Sequence, residues 1–166
     1  MPDPFDPLHG SINSGHLLVS ALKRNRDAPA LVLGDVTLTG AQMADEISKY
    51  IQAFIELVPD PTDGQGMLAL NRPEVLLVIG AGQLLGTRRT ALHPLGSLDD
   101  HAYVLADAKI TTLVIDPTPQ FVERAAALVA KVPTLTRVLT LGPVPVDWPR
   151  WARIWLPRPR ASRPGP

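Results

Sequence analysis

The sequence predicts an α/β fold, with a β-hairpin followed by a mostly parallel sheet flanked by helices. Three observations carry this. Short apolar runs alternate with helix-length segments over the second half of the chain; a capping-box helix precedes them; and a Gly-Asp pair joins two apolar runs near the start. The chain has 166 residues, 45% of them hydrophobic and 19% charged, which suits one globular domain with a sizeable core.

Taken in order, Ser14 is placed to cap a short helix that carries Leu17, Leu18, Ala21 and Leu22 on one side. Lys23, Arg24 and Arg26 stand near its end, where cations suit the helix dipole. Residues 30–33 and 36–38 flank Gly34-Asp35, and glycine there supplies the positive φ of a tight turn, so a hairpin is expected. Thr39 and Gln42 form a capping box. Met43, Ile47, Tyr50, Phe54 and Leu57 then recur at helical spacing and should bury one face.

Residues 59–66, with two prolines and two glycines, should form an exposed loop. Beyond it, strands are expected at 67–70, 90–92, 111–115 and 138–141. Three helices fit between them: 73–85 after an Asn71 cap, 98–108 after a Ser97 cap, and 119–132 after a Thr118 cap with proline at the first helical position. Apolar strands alternating with helices argue for a parallel sheet covered on both faces.

The expected organisation is a flexible N-terminus over 1–13, a domain over 14–142 and a disordered tail over 143–166. The tail holds all 3 tryptophans, and its acids are limited to Asp147. Its arginines interleave with Trp148, Trp151 and Trp155, a pattern that suits stacking and charge on nucleic acid or a membrane interface. Pro, Arg, Ala, Gly and Trp are also what GC-rich codons give when read out of frame, so a frame change near residues 145–148 explains the same composition; we adopt that explanation.

Sixteen basic residues balance sixteen acidic ones, which gives no whole-chain field to attract nucleic acid, and none is expected as a partner. The absence of cysteine removes disulfides, thiolate nucleophiles and Cys-type zinc sites, and agrees with the cytoplasm. The first residues are acidic and proline-rich, unlike a signal peptide. The longest apolar stretch, 75–85, is too short to span a bilayer, so no transmembrane segment is expected.

Gly80, Gly82 and Gly86 invite a dinucleotide-binding reading, with Asp99 and Asp100 about 20 residues on. The third glycine comes one place late, and a helix is expected where that fingerprint needs a strand. Close approach of a buried helix to neighbouring backbone explains these glycines better. His93, Asp99, Asp100 and His101 are metal-ligand types, but the carboxylates are better explained by the first turn of a helix, and no metal site is expected. Ser97 lacks a nucleophile elbow and reads as a cap. Arg88 and Arg89 could hold a phosphate, although a charged pair between helix and strand is more often solvated.

Asn71-Arg72-Pro73-Glu74, followed by an apolar helix with Gly80 and Gly86, then Thr90-Ala91-Leu92-His93-Pro94, then Asp107-Ala108-Lys109-Ile110 leading into an apolar strand, is similar to the fatty-acyl-CoA synthetases of the adenylate-forming, AMP-binding superfamily. Thr37-Leu38-Thr39-Gly40 resembles the family's lead into its first long helix, and the likeness runs from about Ser14 to Pro145. The resemblance implies a partial N-terminal subdomain of the adenylate-forming fold. It also implies a family reaction that uses ATP, Mg and CoA, with acyl-adenylate formation followed by transfer to the CoA thiol.

That chemistry needs a Ser/Thr/Gly-rich phosphate loop and a catalytic lysine on a C-terminal domain. The lysines here are Lys23, Lys49, Lys109 and Lys131, each in or at the end of an expected helix. No catalytic, cofactor-binding or metal-binding residue of the family is therefore assigned to this chain, and the fragment is expected to bind none of those cofactors and to be inactive alone. The alternatives are a non-catalytic protein-binding module or half of a split synthetase, which would dock the remainder or self-associate through exposed apolar surface, and a small dinucleotide-binding protein.

Overall fold

The computed structural model describes residues 14–58, 60 and 63–142. The expectations for the N-terminus and for the tail with its tryptophans fall outside them. The elements are α1 (Ser14–Arg24), β1 (Pro29–Leu33), β2 (Val36–Thr39), α2 (Gly40–Leu57), β3 (Gly64–Leu68), α3 (Pro73–Leu85), β4 (Arg89–Ala91), α4 (Leu98–Asp107), β5 (Ile110–Ile115), α5 (Pro119–Lys131) and β6 (Arg137–Thr140).

The hairpin forms as its sequence requires. β1 and β2 pair antiparallel, with Leu33 opposite Val36 and Gly34 at φ +56° in the turn. Leu31 and Leu38 are its buried residues and pack with α2. Thr39 caps α2 in a reciprocal box: its Oγ1 accepts from the Gln42 backbone N–H at 3.3 Å, and its own N–H donates to Gln42 Oε1 at 2.8 Å. Met43, Ile47, Tyr50 and Phe54 are then buried along one face, as the periodicity predicts. In α1 Leu22 is buried and Leu18 packs against the core, as expected, with Gly15 buried on the same face, whereas Leu17 is exposed.

The four remaining strands are all parallel, in the order β4-β3-β5-β6. The chain leaves β3 through α3 to reach β4 on one side. It then crosses back over β3 through α4 to reach β5, and α5 carries it on to β6. Right-handed crossovers in opposite directions must lie on opposite faces. Accordingly α1, α2 and α3 form one layer over Met67, Val114 and Leu139, while α4 and α5 cover Leu68, Leu113, Ile115 and Val138 on the other. The alternation of those strand residues between the two cores follows from the two-residue period of a strand.

Two sequence expectations are corrected. The loop expected over 59–66 ends earlier, because Gly64, Gln65 and Gly66 are buried residues of β3. β3 is central and crowded. A Cβ on Gly66 would sit 2.8 Å from Leu105 Cδ2 and 3.1 Å from Leu113 Cδ1, so glycine here serves packing rather than a turn. The N-cap of α3 is Arg72, not Asn71, and it makes no side-chain capping bond; Thr118 likewise caps α5 by backbone position alone. Pro73 and Pro119 at the first helical positions still set both starts, as expected.

Candidate functional site at the carboxyl end of the sheet

The reversal of strand order between β3 and β5 opens a crevice outside their carboxyl ends, the place where open α/β sheets ordinarily take ligands or partners. Three adjoining depressions run across it. One lies between the hairpin at Leu31–Leu33 and the start of α3; it shares Asn71 with a second beside Leu92 and His93, which shares Leu70 and Pro94 with a third against Pro119 and Phe121. The trough is rimmed by apolar side chains that remain exposed, among them Val32, Leu70, Leu76 and Leu95.

Beneath it lies a charged clamp centred on Arg72. Its Nη2 and Nε donate to the two carboxylate oxygens of Glu74 at 2.8 and 3.2 Å. Its Nη1 donates to Asp116 Oδ1 at 2.5 Å, and Nη2 also reaches the Leu141 carbonyl at 3.2 Å. Glu74 and Asp116 are both buried, so the guanidinium is needed to compensate their charge. The carboxylate hydrogen bonds, Glu74 first, raise Arg72 above its already high ordinary value. Tyr50 is buried in the adjoining core. Burial, then the fields of Glu74 and Glu46, push its phenol well above the usual range and keep it protonated.

The clamp was not legible in the sequence, since Asp116 and Leu141 are remote in the chain. The available signal was local: an Arg at the cap with a Glu two positions into the helix.

The crevice is poorly equipped for phosphate. The cation at its base is taken up by two carboxylates, and α3 and α5 both begin with proline, which removes a donor from each helix N-terminus.

The other candidate residues are committed elsewhere. Gly80 and Gly82 lie inside α3, so no dinucleotide-binding turn forms. Gly80 lets Ile47 and Leu18 approach, and the Arg89 guanidinium lies across Gly82. Both glycines thus serve close packing, but the neighbours they admit are side chains, where the sequence reading expects backbone. Gly86, at φ +70°, ends the helix. Arg88 donates to the Ala108 carbonyl, and Arg89 donates to the Val78 carbonyl at 2.6 Å and to Gln65 Oε1 at 3.2 Å; both lie at the amino end of the sheet, opposite the crevice.

His101 is buried, with Nε2 2.8 Å from the His93 carbonyl and Nδ1 3.2 Å from Arg124 Nη1, while His93 Nδ1 accepts from the Leu95 N–H. Asp99 pairs with Lys131. Ser97 and Asp100 form the cap and its box, with the Ser97 hydroxyl donating to Asp100 at 2.7 Å. Among the described residues no three His, Cys, Asp or Glu side chains are placed to hold a metal, and no helix is long and apolar enough to cross a membrane.

This architecture is that of the adenylate-forming ligases, here in part: an antiparallel hairpin and a four-stranded parallel sheet flanked by helices. The anthranilate CoA ligase AuaEII, solved with anthranoyl-AMP, superposes with a TM-score of 0.71 at 20% identity over 79% of this chain and 25% of that one. A putative long-chain-fatty-acid CoA ligase from Rhodopseudomonas palustris CGA009 gives 0.71 at 17% identity, over 79% and 33%.

In sequence, the chain is 61% identical over 138 residues to the medium/long-chain fatty-acid-CoA ligase FadD8 of Mycobacterium tuberculosis (strain ATCC 25618 / H37Rv). The chain belongs to the fatty-acyl-CoA synthetases of the adenylate-forming superfamily and corresponds to an N-terminal portion of one. The match covers 83% of this chain and 24% of FadD8, so the chain spans about a quarter of that relative's length. No protein-family model matches the chain.

Proposed function

We propose that residues 14–142 are the N-terminal part of the large domain of a cytoplasmic fatty-acid-CoA ligase, and that this chain alone does not catalyse the reaction. The whole enzyme would activate a fatty acid with ATP and Mg to an acyl-adenylate, then pass the acyl group to CoA. The observation that carries this reading is the 61% identity to FadD8 over 138 residues. Catalytic incompleteness is supported by the disposition of the lysines. Lys49 pairs with Glu46 and Lys131 with Asp99, while Lys23 ends α1 and Lys109 lies in the turn before β5.

A second reading follows from the trough: the chain acts as the docking half of a split synthetase. Its exposed apolar rim suits burial against the remainder of the ligase fold. The experiment is to purify this chain, and separately the complementary part of a FadD8-like ligase, and to assay fatty-acid-dependent pyrophosphate release. Activity in this chain alone would overturn incompleteness. Activity restored only on mixing supports the split reading, whereas two parts that neither associate nor react would defeat it.

A further inference from the structure

The geometry points to a second site, at the amino end of the sheet, for a small carboxylate carrying a short hydrocarbon group. It does not rest on the family reaction. The register places Gln65 of β3 beside Arg89 of β4 and Thr112 of β5, and Thr112 beside Arg137 of β6. In-register neighbours of a parallel sheet project to the same face. A polar row therefore crosses the sheet beneath the helical layer of α1, α2 and α3, two residues before the apolar row of Met67, Val114 and Leu139.

A cavity of about 220 Å³ lies against this row, lined by Phe54, Val58, Leu85 and Thr87 with Gln65 as its buried polar wall. An apolar cavity of about 150 Å³ is enough to hold a benzene ring, so a six-carbon ligand fits by size.

The charge of the row sets the ligand class. Arg137 is paired with Asp63, but among the described residues no carboxylate pairs with Arg89. Burial pulls the Arg89 guanidinium down to about 10, which leaves it cationic at neutral pH. Its Nε, and the hydroxyl of the fully buried Thr112, have no hydrogen-bond partner among the described residues. Arg89 Nη2 donates to Gln65 Oε1, which leaves the carboxamide NH2 group as the donor that this lining residue has to offer.

A buried donor held by an uncompensated cation, facing apolar side chains, is complementary to an anionic oxygen with an apolar tail. Asp60, the acid among the lining residues, is exposed, whereas Gln65, bonded to the Arg89 guanidinium, is buried.

The test titrates the full chain with sodium hexanoate at neutral pH, followed by amide chemical shifts, with 1-hexanol as the uncharged control. The proposal expects saturable shifts at Val58, Gln65, Leu85 and Thr87, with hexanol binding about tenfold more weakly and Gln65→Leu losing about tenfold in hexanoate affinity. Leu85→Trp, which fills the cavity and leaves the polar row alone, should also abolish binding and serves if Gln65→Leu does not fold. Absence of saturable shifts, equal binding of hexanol, shifts confined to the carboxyl-end trough, or full binding by a folded variant would each overturn it.

Discussion

Arg72 and Asp116 meet at 2.5 Å across 44 positions of chain, and through this contact the start of α3 is tied to the end of β5. The same guanidinium holds Glu74 and the Leu141 carbonyl, so one side chain ties the start of α3 to the carboxyl ends of β5 and β6. Both acids are buried, and their charges have this cation as a shared partner.

Replacing Arg72 by Met should therefore cost about 3–5 kcal/mol, the usual penalty for stranding buried charge. Urea unfolding at neutral pH reads the loss directly. Arg72→Lys should recover part of it, since an ammonium cannot reproduce the two-pronged contact with Glu74. A loss no larger than that of an exposed ion pair, under about 1 kcal/mol, would contradict the clamp.

Gly66→Ala should destabilise the fold by about 1–3 kcal/mol, because the added methyl meets Leu105 and Leu113 in a filled core. The same measurement distinguishes a central strand from an exposed loop, in which the substitution would be nearly silent.

Signals confined to one turn of chain were legible: Gly34 at the hairpin, Thr39 with Gln42, Ser97 with Asp100, and the prolines that open α3 and α5. The alternation of apolar strands and helices likewise gave the parallel sheet. β3 begins three residues before its sequence predicts, because Gly64-Gln65-Gly66 has loop composition, and only its position between two strands and two helical layers explains why small residues belong there. The Arg72 clamp was illegible for a similar reason, since its partners come together through topology. Arg88 and Arg89, adjacent in sequence, diverge toward separate partners because neighbouring strand residues face opposite sides of a sheet.

At Asp100 the Ser97 hydroxyl and backbone N–H hold the carboxyl below the usual carboxylate range. A depressed folded value contributes stability above the unfolded pKa of about 4, and that contribution is lost as pH falls through the folded value. Ser97→Ala should thus lower Tm near neutrality, and the gap from the parent should narrow in acid. A gap constant through the acid limb would show that the cap acts without the carboxylate.

Arg89 gives the opposite limb. Burial pulls its folded value down to about 10, below its ordinary value, so between the two the unfolded chain binds more protons and stability rises with pH. The stability difference between the parent and Arg89→Met, from denaturant titrations at about pH 9 and 11, should move in favour of the parent. A flat or reversed difference would mean that burial does not strain this cation.

The strand order also dictates a sequence of events during synthesis. β3 is made before any of its neighbours, gains β4 first, and waits for β5 to occupy its other edge. Arg72 emerges with Glu74 close at hand but meets Asp116 only after β5 is complete, and Leu141 later still. The ion cluster is thus a latch that fastens at the end of assembly, and until β5 pairs with β3, that strand's second edge stays open for a chaperone to recognise.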